Sequence, residues 1–576
     1  MSRFLVADFE TSTDVWYEKE GIARVWLWGL YDIQQDKFRY GIDIKSFIDF
    51  FLDKKNIHEI YPICYFHNLK YDGSYIVNYL LSNGYEYTNE ITELKQFKTV
   101  ISDTGLWYII ELPLYISRGK IKTIKFYDSL KKIPMPVRDI PKTFGFEDTL
   151  KKGELDYDTI RPVGHLPTKE ELDYLYPDVV IVAKALEQLN EEGFTKITGS
   201  SDAFASWKQT LNPKVRNPEK TYRDLFPELP LEVDDFIRAG YRGGWTYVNP
   251  RFAGKIIDKP VVVYDINSMY PAKMVDKYLP VFAPRYFVGK PNPKKHECYM
   301  VRIMINFELK EGFLPTIQIK HGGCFSPTEY LASSNNKEVE IVVTNIDLKL
   351  IFRHYNIISI EYIDGYYFHK AKGFFDNHIK TNMKIKEVSV GGKRYMAKLR
   401  MNQVYGKCAT APRKKMKIPY LKDGVLKFEL GEEKIEASQY TALAVFITSW
   451  ARYDIITDAQ NNYDNFIYCD TDSLHLLANE DGSEPKLPIH PTHLGYYKLE
   501  HKVEKSTFLR SKTYIEQYDK DTVEIKCAGA PAEVKKKMNF ENFKIGNTYE
   551  GKLMPKQVKG GCILVKSFFT IKWYLI

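Results

Sequence analysis

The sequence has few cysteines, no long apolar run and no internal repeats, and these absences argue against several classes of protein. Its 576 residues include seven cysteines, scattered without a CxxC pair, so a disulfide framework or a cysteine-ligated zinc site is not expected. The apolar stretch 440–451 is too short to cross a bilayer, and the acids at positions 8 and 10 argue against a signal peptide. We therefore expect a protein of a reducing, cytoplasmic compartment with no membrane partner.

Charge of either sign is not in large excess. Lysine and arginine number 82 against 74 acidic residues, and the resulting net charge of +8 fits a polyanionic partner without demonstrating one. Tyrosine, in contrast, is abundant at 42 residues, and its flat apolar face suits stacking on bases as well as core packing. The length suffices for about four domains of ordinary size.

The first candidate site begins at the N-terminus, where Asp8 and Glu10 end an apolar strand. Side chains two apart on a strand share a face, and adjacent carboxylates repel unless a cation lies between them. Farther along, Asp72 lies in FHNLKYDG, while Tyr174 and Asp178 lie in the helical stretch YLYPD. The DxE pair alone could be a surface feature. In this order, the four acids and the tyrosine predict an exonuclease with two magnesium ions.

A second candidate site combines two acidic motifs that are distant in the sequence. In VVVYDINSMYP a run of valines, typical of a strand buried on both faces, ends in Asp265. In FIYCDTDSLHLL two strands flank a tight turn with Asp470 and Asp472 at its tip. Alone, Asp265 could be a helix N-cap, and the turn could simply be solvated. Together, Asp265 and Asp472 predict a two-metal site for nucleotidyl transfer.

Between these motifs, KRYMAKLRMNQVYGK predicts a helix with a polar stripe. Arg394, Lys398, Asn402 and Tyr405 are spaced so that they share one helical face. The two cations could hold a triphosphate while Tyr405 packs against a base or sugar; the alternative is a solvated basic face. Gly406 is expected to cap the C-terminus of this helix.

These motifs together carry a resemblance to a known family. DFET (8–11), FHNLKYDG, YxxxD, YRGG, DxNSMYP, KLRMNQVYG, YCDTDS and KTY occur in family order along nearly the whole chain. The sequence thus resembles the protein-primed family B DNA polymerases of φ29-like phages. The resemblance implies an α+β multidomain fold, with a ribonuclease H-like α/β exonuclease domain before a right-hand polymerase domain of palm, fingers and thumb. It also implies a replicative DNA polymerase with 3′–5′ proofreading and intrinsic strand displacement.

The resemblance also implies roles for individual residues. Exonuclease metal ligands match Asp8, Glu10, Asp72 and Asp178, with Tyr174 and Lys152 as catalytic helpers. Ligands of single-stranded DNA match Thr11, Asn68, Tyr71, Ser129 and Leu130. The YRGG motif, which balances synthesis against degradation in the family, matches Tyr241, Arg242, Gly243 and Gly244. Polymerase metal ligands match Asp265 and Asp472, beside Asp470, and nucleotide-binding positions match Tyr270, Lys386, Arg394, Lys398, Asn402 and Tyr405. Primer–template contacts match Arg452, Lys512 and Tyr514.

The same resemblance divides the chain into regions. The expected regions are an exonuclease domain (1–200), a YRGG linker with the first palm segment (201–275), a first insertion with palm strands (276–372), fingers (373–409), a second insertion (410–432), palm (433–530) and thumb (531–576). The first insertion would contact a terminal protein whose hydroxyl group primes synthesis. The second would close a ring around the template and promote processivity and strand displacement.

The expected cofactor is magnesium, two ions per active site, with manganese able to substitute. The expected partners are primer–template DNA, the displaced strand, deoxynucleoside triphosphates and terminal protein, with the polymerase a monomer or a heterodimer with that protein in the host cytoplasm. Two residues depart from the family pattern: Pro177 lies inside an expected helix, and Gln403 replaces a serine. The alternatives are a conventionally primed polymerase and a DNA-binding protein with degenerate sites.

Overall fold

A computed structural model describes residues 4–53, 55–56, 63–146, 155–157, 159–212, 214, 217–320 and 328–573. Lys152, an expected exonuclease residue, lies outside the described residues. Among the described residues, no helix combines the length and apolar character needed to cross a membrane.

The N-terminal region builds one mixed sheet covered by helices. Its elements are β1 (Phe4–Thr11), α1 (Asp14–Glu20), β2 (Val25–Asp32), β3 (Lys37–Gly41), α2 (Ile44–Leu52), β4 (Ile63–Phe66), α3 (Leu69–Ser82), β5 (Glu86–Tyr87), β6 (Gln96–Ile101), β7 (Trp107–Ser117), β8 (Lys120–Asp128) and α4 (Ile140–Phe144). The strand order is β3-β2-β1-β4-β8-β7-β6-β5. β1 pairs antiparallel with β2 and parallel with β4, so its backbone is satisfied on both sides.

Strand β1 separates two hydrophobic cores. Leu5, Ala7 and Phe9 pack on one face with α2 and α3, whereas Val6 packs on the other. Because side chains alternate along a strand, Asp8 and Glu10 share one face, as the sequence predicted, and it is the face of Val6.

Four helices follow: α5 (Lys169–Glu191), α6 (Gly199–Leu211), α7 (Pro218–Leu225) and α8 (Leu231–Ala239). Helix α5 packs against the Val6 face of the sheet and runs unbroken through Pro177. A capping box between Thr168 and Glu171 fixes its start, and buried residues along its length compensate for the hydrogen bond that proline cannot donate. Tyr222 of α7 packs in a core with Trp207 of α6.

The middle of the chain contains β9 (Thr246–Val248), β10 (Ile256–Ile257), β11 (Val261–Ile266), α9 (Met269–Asp276), β12 (Leu279–Val288), β13 (Tyr299–Leu309), β14 (Gln318–Lys320), β15 (Thr328–Tyr330), β16 (Val339–Thr344), α10 (Asn345–His354) and β17 (Tyr355–Ala371). Strands β12, β17, β13 and β16 form a separate four-stranded antiparallel sheet in that order. This sheet lies within the range expected for the first insertion.

Next come α11 (Asp376–Val388), α12 (Gly391–Cys408), β18 (Arg413–Lys414), β19 (Lys417–Lys422), β20 (Val425–Leu430), β21 (Lys434–Ile435) and α13 (Thr441–Asn461). The expectation that Gly406 caps α12 was wrong: the helix continues to Cys408, and Ala409 is the C-cap. Cys408 is fully buried in the core, and this burial holds the last turn of the helix in place.

The C-terminal part contains β22 (Phe466–Asp470), β23 (Ser473–Leu477), β24 (Tyr497–Val503), β25 (Lys505–Arg510), β26 (Thr513–Gln517), β27 (Val523–Cys527), α14 (Ala532–Lys535), β28 (Thr548–Val558) and β29 (Gly561–Thr570). Strands β24, β11, β23, β22 and β9 form a five-stranded sheet in that order. The predicted hairpin around the DTD turn is confirmed as β22 and β23.

The tip of the β28–β29 hairpin packs against the N-terminal region. The amide of Ala23 donates to the carbonyl oxygen of Lys559 at 2.8 Å, and the Tyr75 hydroxyl donates to the carbonyl oxygen of Cys562 at 2.5 Å. At Gly560, which has a φ of +89°, an added Cβ would lie 2.2 Å from the carbonyl oxygen of Ala23. A glycine is therefore required for this approach.

Candidate functional site

Carboxylates from two elements converge in the N-terminal region. Asp8 and Glu10 on β1 and Asp178 on α5 place carboxylate oxygens within 4.8 Å of one another. Asp72, in the first turn of α3, is 4% exposed. Burial raises the pKa of Asp72 strongly, and the charges of Asp8 and Glu10 raise it further, so Asp72 lies near these two acids, beside the group of three.

This cluster fits a divalent metal ion. Its donors are carboxylate oxygens, the ligands that Mg²⁺ and Mn²⁺ prefer. Glu10, Asp72 and Asp178 are each less than a tenth exposed, so water screens their mutual repulsion poorly. A bound cation would relieve that repulsion, which is the physical reason for such acids to be kept together.

Tyr174 lies beside the acids, as predicted, and a second tyrosine joins it. The charges of Glu10 and Asp178 add to burial in raising the pKa of Tyr174, so this phenol stays protonated. Its hydroxyl oxygen lies 2.5 Å from that of Tyr157, whose side chain is 49% exposed. Tyr157 could not be predicted from the sequence, because this residue lies in an irregular segment with no periodic pattern.

The residues expected to bind single-stranded DNA lie close to these acids. The hydroxyl groups of Thr11 and Tyr71 are 2.8 Å apart, which joins β1 to α3. Asn68 is exposed and has a left-handed backbone with a φ of 79°. Its amide and that of Leu130 both donate to the Asp128 carboxylate, at 3.1 and 3.0 Å.

Ser129 differs from its neighbours because it is fully buried. Its hydroxyl donates to the carbonyl oxygen of Phe66 at 3.0 Å and lies 2.9 Å from Nδ1 of His67. The side chain therefore links the end of β4 to the turn that follows β8.

The second predicted pair of acids is also brought together. Asp265, at the end of β11, lies opposite Ser473, the residue after Asp472. Burial raises the pKa of Asp265 to about 7, with the charge of Asp472 as the next cause. Burial and the charge of Asp470 raise the pKa of Asp472 to about 6. Two neighbouring carboxylates at one end of these strands, each with a raised pKa, likewise fit a divalent cation.

Asp470 has a different partner from these two acids. Its Oδ1 lies 2.6 Å from Nζ of Lys512, and the backbone amide of Lys512 donates to the hydroxyl of Tyr468 at 2.9 Å. Tyr514 is 8% exposed and packs with Tyr468 and Phe508. Of the predicted KTY contacts, Lys512 is therefore exposed beside the acids, whereas Tyr514 mainly supports it.

Aromatic and basic side chains surround the Asp265–Asp472 site. The rings of Tyr270 and Tyr405 stack with centroids 4.5 Å apart. Arg394 donates to the carbonyl oxygen of Lys386 at 2.5 Å. Burial lowers the pKa of Lys386, as do the charges of Lys398 and Arg394, so the three cations converge. Asn402 and Tyr405 line a separate open cleft with Lys131 and Lys414.

Arg452 holds the backbone of the YRGG segment (residues 241–244) in place by hydrogen bonds. This arginine is 3% exposed, and its guanidinium donates to the carbonyl oxygens of Arg242 at 2.6 Å and Gly243 at 2.9 Å. It also forms an ion pair with Asp347, at 2.8 Å. The family resemblance implied a direct DNA contact for Arg452, whereas the structure buries its side chain against the backbone of the YRGG segment.

Comparisons with known proteins agree with this geometry. Residues 53–490 match the family described as DNA polymerase type B, organellar and viral. The chain belongs to the type B DNA polymerases. It is 40% identical over 594 aligned residues to the DNA polymerase of Bacillus phage Nf, which covers 99% of this chain and 100% of that protein.

Two solved structures of φ29 DNA polymerase are similar to this type B polymerase over 99% of its chain and 100% of theirs. The complex with primer–template DNA has a TM-score of 0.91 at 37% identity. The complex with primer–template DNA and incoming nucleotide has a TM-score of 0.90 at 37% identity. This structural match confirms the predicted α+β multidomain fold. The family assignment confirms the predicted DNA polymerase activity. Divalent metal dependence follows from the family and from the acidic cluster.

Proposed function

We propose that this type B polymerase is a replicative enzyme that proofreads, displaces the strand ahead of it and initiates on a terminal protein hydroxyl. The observation that supports it best is the presence of two separate carboxylate sites on one chain, Asp265 with Asp472 and Asp8 with Glu10 and Asp178. One site suits the addition of nucleotides and the other their removal. The enzyme would act in the cytoplasm of a host cell.

Asp265 and Asp472 would hold two magnesium ions for synthesis. Bound there, the ions would supply a lower pKa at the primer 3′ hydroxyl and charge neutralisation at the leaving pyrophosphate. Lys386, Arg394 and Lys398 would hold the triphosphate electrostatically, because their positive charges converge beside the acids. The stacked rings of Tyr270 and Tyr405 offer a flat surface for the base or sugar.

Asp8, Glu10, Asp72 and Asp178 would hold two further ions for removal of a mispaired 3′ nucleotide. Tyr174 would orient the attacking water, since its phenol stays protonated beside the acids. Thr11, Tyr71, Asn68 and Leu130 would position the single strand, as would the backbone around Ser129. Lys512, beside Asp470, would contact the primer–template duplex.

The domain division proposed is the one the sequence predicted, with exonuclease, linker, insertions, fingers, palm and thumb at the stated boundaries. The four-stranded sheet of residues 279–371 would contact terminal protein. The β19–β20 hairpin would help to enclose the template, because an isolated bridge joins Val425 to Lys559 at the tip of the C-terminal hairpin. The polymerase would act as a monomer or as a heterodimer with terminal protein.

Primer extension on a single-primed circular single-stranded template tests polymerisation and strand displacement together. The reaction contains magnesium, four deoxynucleotides and no accessory protein. Products many times the circle length are expected. Products that end at one circle would refute intrinsic strand displacement, and primer shortening without extension would refute the assignment of Asp265 and Asp472.

Protein priming is tested separately with the terminal protein candidate encoded next to the polymerase gene. With labelled deoxynucleotide and no oligonucleotide primer, label should become covalently attached to that protein. Replacing the terminal protein candidate with a variant that lacks the priming hydroxyl should abolish labelling. Efficient oligonucleotide extension with no labelling of the adjacent gene product would favour conventional priming.

A further inference from the structure

A buried arginine ties the segment that carries Tyr157 to the start of helix α5. Arg161 is 6% exposed, although it carries a permanent charge. Its Nη1 donates to the carbonyl oxygens of Asp156, at 2.6 Å, and Thr159, at 2.7 Å. Its Nε donates to Oε1 of Glu171 at 2.7 Å. One guanidinium group therefore connects the residue before Tyr157 to the first turn of α5.

The same guanidinium is also fixed against the sheet. Its central carbon lies 4.8 Å from the ring centroid of Trp26 on β2, a cation–π contact. Arg24, the residue before β2, donates to the carbonyl oxygen of Arg161. The arginine is thus held by β2 as well as by the segment it organises.

Glu171 is anchored independently of Arg161. Its Oε2 lies 2.8 Å from Nε2 of His165 and accepts from the amide of Thr168 at 3.0 Å, as part of the capping box of α5. Helix α5 also carries Tyr174 and Asp178, one and two turns farther along. Through its ion pair with Arg161, Glu171 therefore links the segment that carries Tyr157 to the helix that carries Tyr174 and Asp178.

We propose that Arg161 is a positioning residue of the exonuclease site, which places the Tyr157 hydroxyl against Tyr174 beside the carboxylates. This inference rests on the proposed exonuclease function. Only arginine can donate in two directions at once from a rigid planar group, so lysine cannot replace these contacts. With the segment released, Tyr157 loses its fixed approach to Tyr174, and the hydroxyl of Tyr174 loses one hydrogen-bonding partner.

The test measures single-turnover degradation of a single-stranded oligonucleotide by Arg161→Lys, Tyr157→Phe and the double variant. Arg161→Lys should lower the rate about 10- to 100-fold, since small misplacements at an active site cost up to about this much. In the double variant the rate should match that of the slower single variant, because both substitutions disrupt the same contact between Tyr157 and Tyr174. Nucleotide incorporation opposite a matched template should stay within about twofold of wild type.

Arg39→Lys is the matched control, because Arg39 lies in the same region and also pairs with an acid and an aromatic ring, Asp32 and Phe50. It should leave degradation unchanged. Glu171→Gln is a second variant that keeps the side-chain shape, and it should lower degradation in the same way. Retained incorporation by each variant reports that the chain is folded.

The outcomes separate the two hypotheses. Wild-type protein that degrades no single-stranded DNA with magnesium or manganese would overturn the exonuclease function, and the role of Arg161 with it. Degradation that is abolished by Asp8→Ala but unchanged by Arg161→Lys would overturn the role of Arg161 alone. Losses that multiply in the double variant, or incorporation that falls in parallel, would also overturn it, since general destabilisation predicts both.

Discussion

The backbone amide of Ile266 donates a hydrogen bond of 2.9 Å to the carbonyl oxygen of Asp472. This bond joins the residue after Asp265 to the turn that carries the second acid, so the two backbones are held together at the edge of one sheet. Because no side chain takes part, substitution of either carboxylate leaves the bond in place. Variants of these acids therefore test the chemistry of the site rather than its assembly.

Asp472→Asn should abolish nucleotide incorporation and spare degradation of single-stranded DNA. Loss of a carboxylate ligand removes several kcal/mol of transition-state stabilisation, which corresponds to a decrease of about a thousandfold or more. The Asp8, Glu10 and Asp178 cluster lies on other elements and keeps its ligands. Single-nucleotide incorporation and oligonucleotide shortening are measured on the same preparation.

The matched control for this experiment is Asp464→Asn, an exposed aspartate just before β22. It should leave both activities unchanged. Equal loss of both activities in folded Asp472→Asn would contradict the assignment of two separate sites.

The metal-free protein should become less stable as pH rises from about 4 to about 7. Burial raises the pKa of Asp265 to about 7 and that of Asp472 to about 6, whereas both lie near 3.9 in an unfolded chain. In this window the folded state holds protons that the unfolded state has lost. The stabilising contribution is complete below the unfolded pKa and is lost as pH rises through the folded pKa.

Thermal unfolding in a chelator, followed at several pH values, measures this effect. Wild-type protein should lose a few degrees more between pH 4.5 and 8 than Asp265→Asn does, since the amide does not titrate. Magnesium at pH 8 should restore part of the difference. Identical pH profiles for wild type and Asp265→Asn would show that the raised pKa of Asp265 is wrong.

The strands that carry the acids could be predicted from the sequence, because apolar runs end at Asp8, Asp265 and Asp470 and the structure ends β11 and β22 within one residue of these positions. The end of helix α12 could not be predicted from the local sequence, since burial of Cys408 extends the helix beyond Gly406. Tyr157 was missed because its contact with Tyr174 depends on the path of an irregular segment. Local pattern predicts elements well and loop contacts poorly.

The contacts of Arg452 likewise could not be predicted from the local sequence. The family resemblance implied a direct primer–template contact for Arg452, whereas the fold places its guanidinium on the carbonyl oxygens of Arg242 and Gly243. Arg452→Gln should therefore weaken primer–template binding by about tenfold without changing its dependence on salt, because no phosphate contact is lost.

The comparison variant for that prediction is Lys512→Gln, since Lys512 is exposed beside the acids. A lost phosphate contact should lower the slope of log affinity against log salt by about one. Binding is measured from 50 to 200 mM salt, the range in which such slopes are well resolved. A lower slope for Arg452→Gln in folded protein would show that Arg452 reaches DNA itself.

The two glycines of the YRGG segment should differ sharply in their tolerance of a methyl group. A Cβ on Gly244 would lie 2.6 Å from Cγ2 of Thr471 and 2.9 Å from the hydroxyl of Tyr270, whereas a Cβ on Gly243 meets nothing within 4 Å. Thr471 lies between Asp470 and Asp472 with a φ of +70°, a backbone conformation that a β-branched residue rarely adopts. Gly244→Ala must therefore displace the turn that carries Asp470 and Asp472, or the side chain of Tyr270.

Gly244→Ala is expected to lower the rate of nucleotide incorporation by about 10- to 100-fold, and Gly243→Ala by less than about twofold. Degradation of single-stranded DNA should persist in both variants, because neither glycine contacts the Asp8 cluster. Rapid-quench measurement of one incorporation event on a matched primer–template separates this effect from DNA binding. Equal behaviour of the two alanine variants would mean that the turn at Thr471 yields to the added methyl group, and that Gly244 is not needed to hold Asp472 in place.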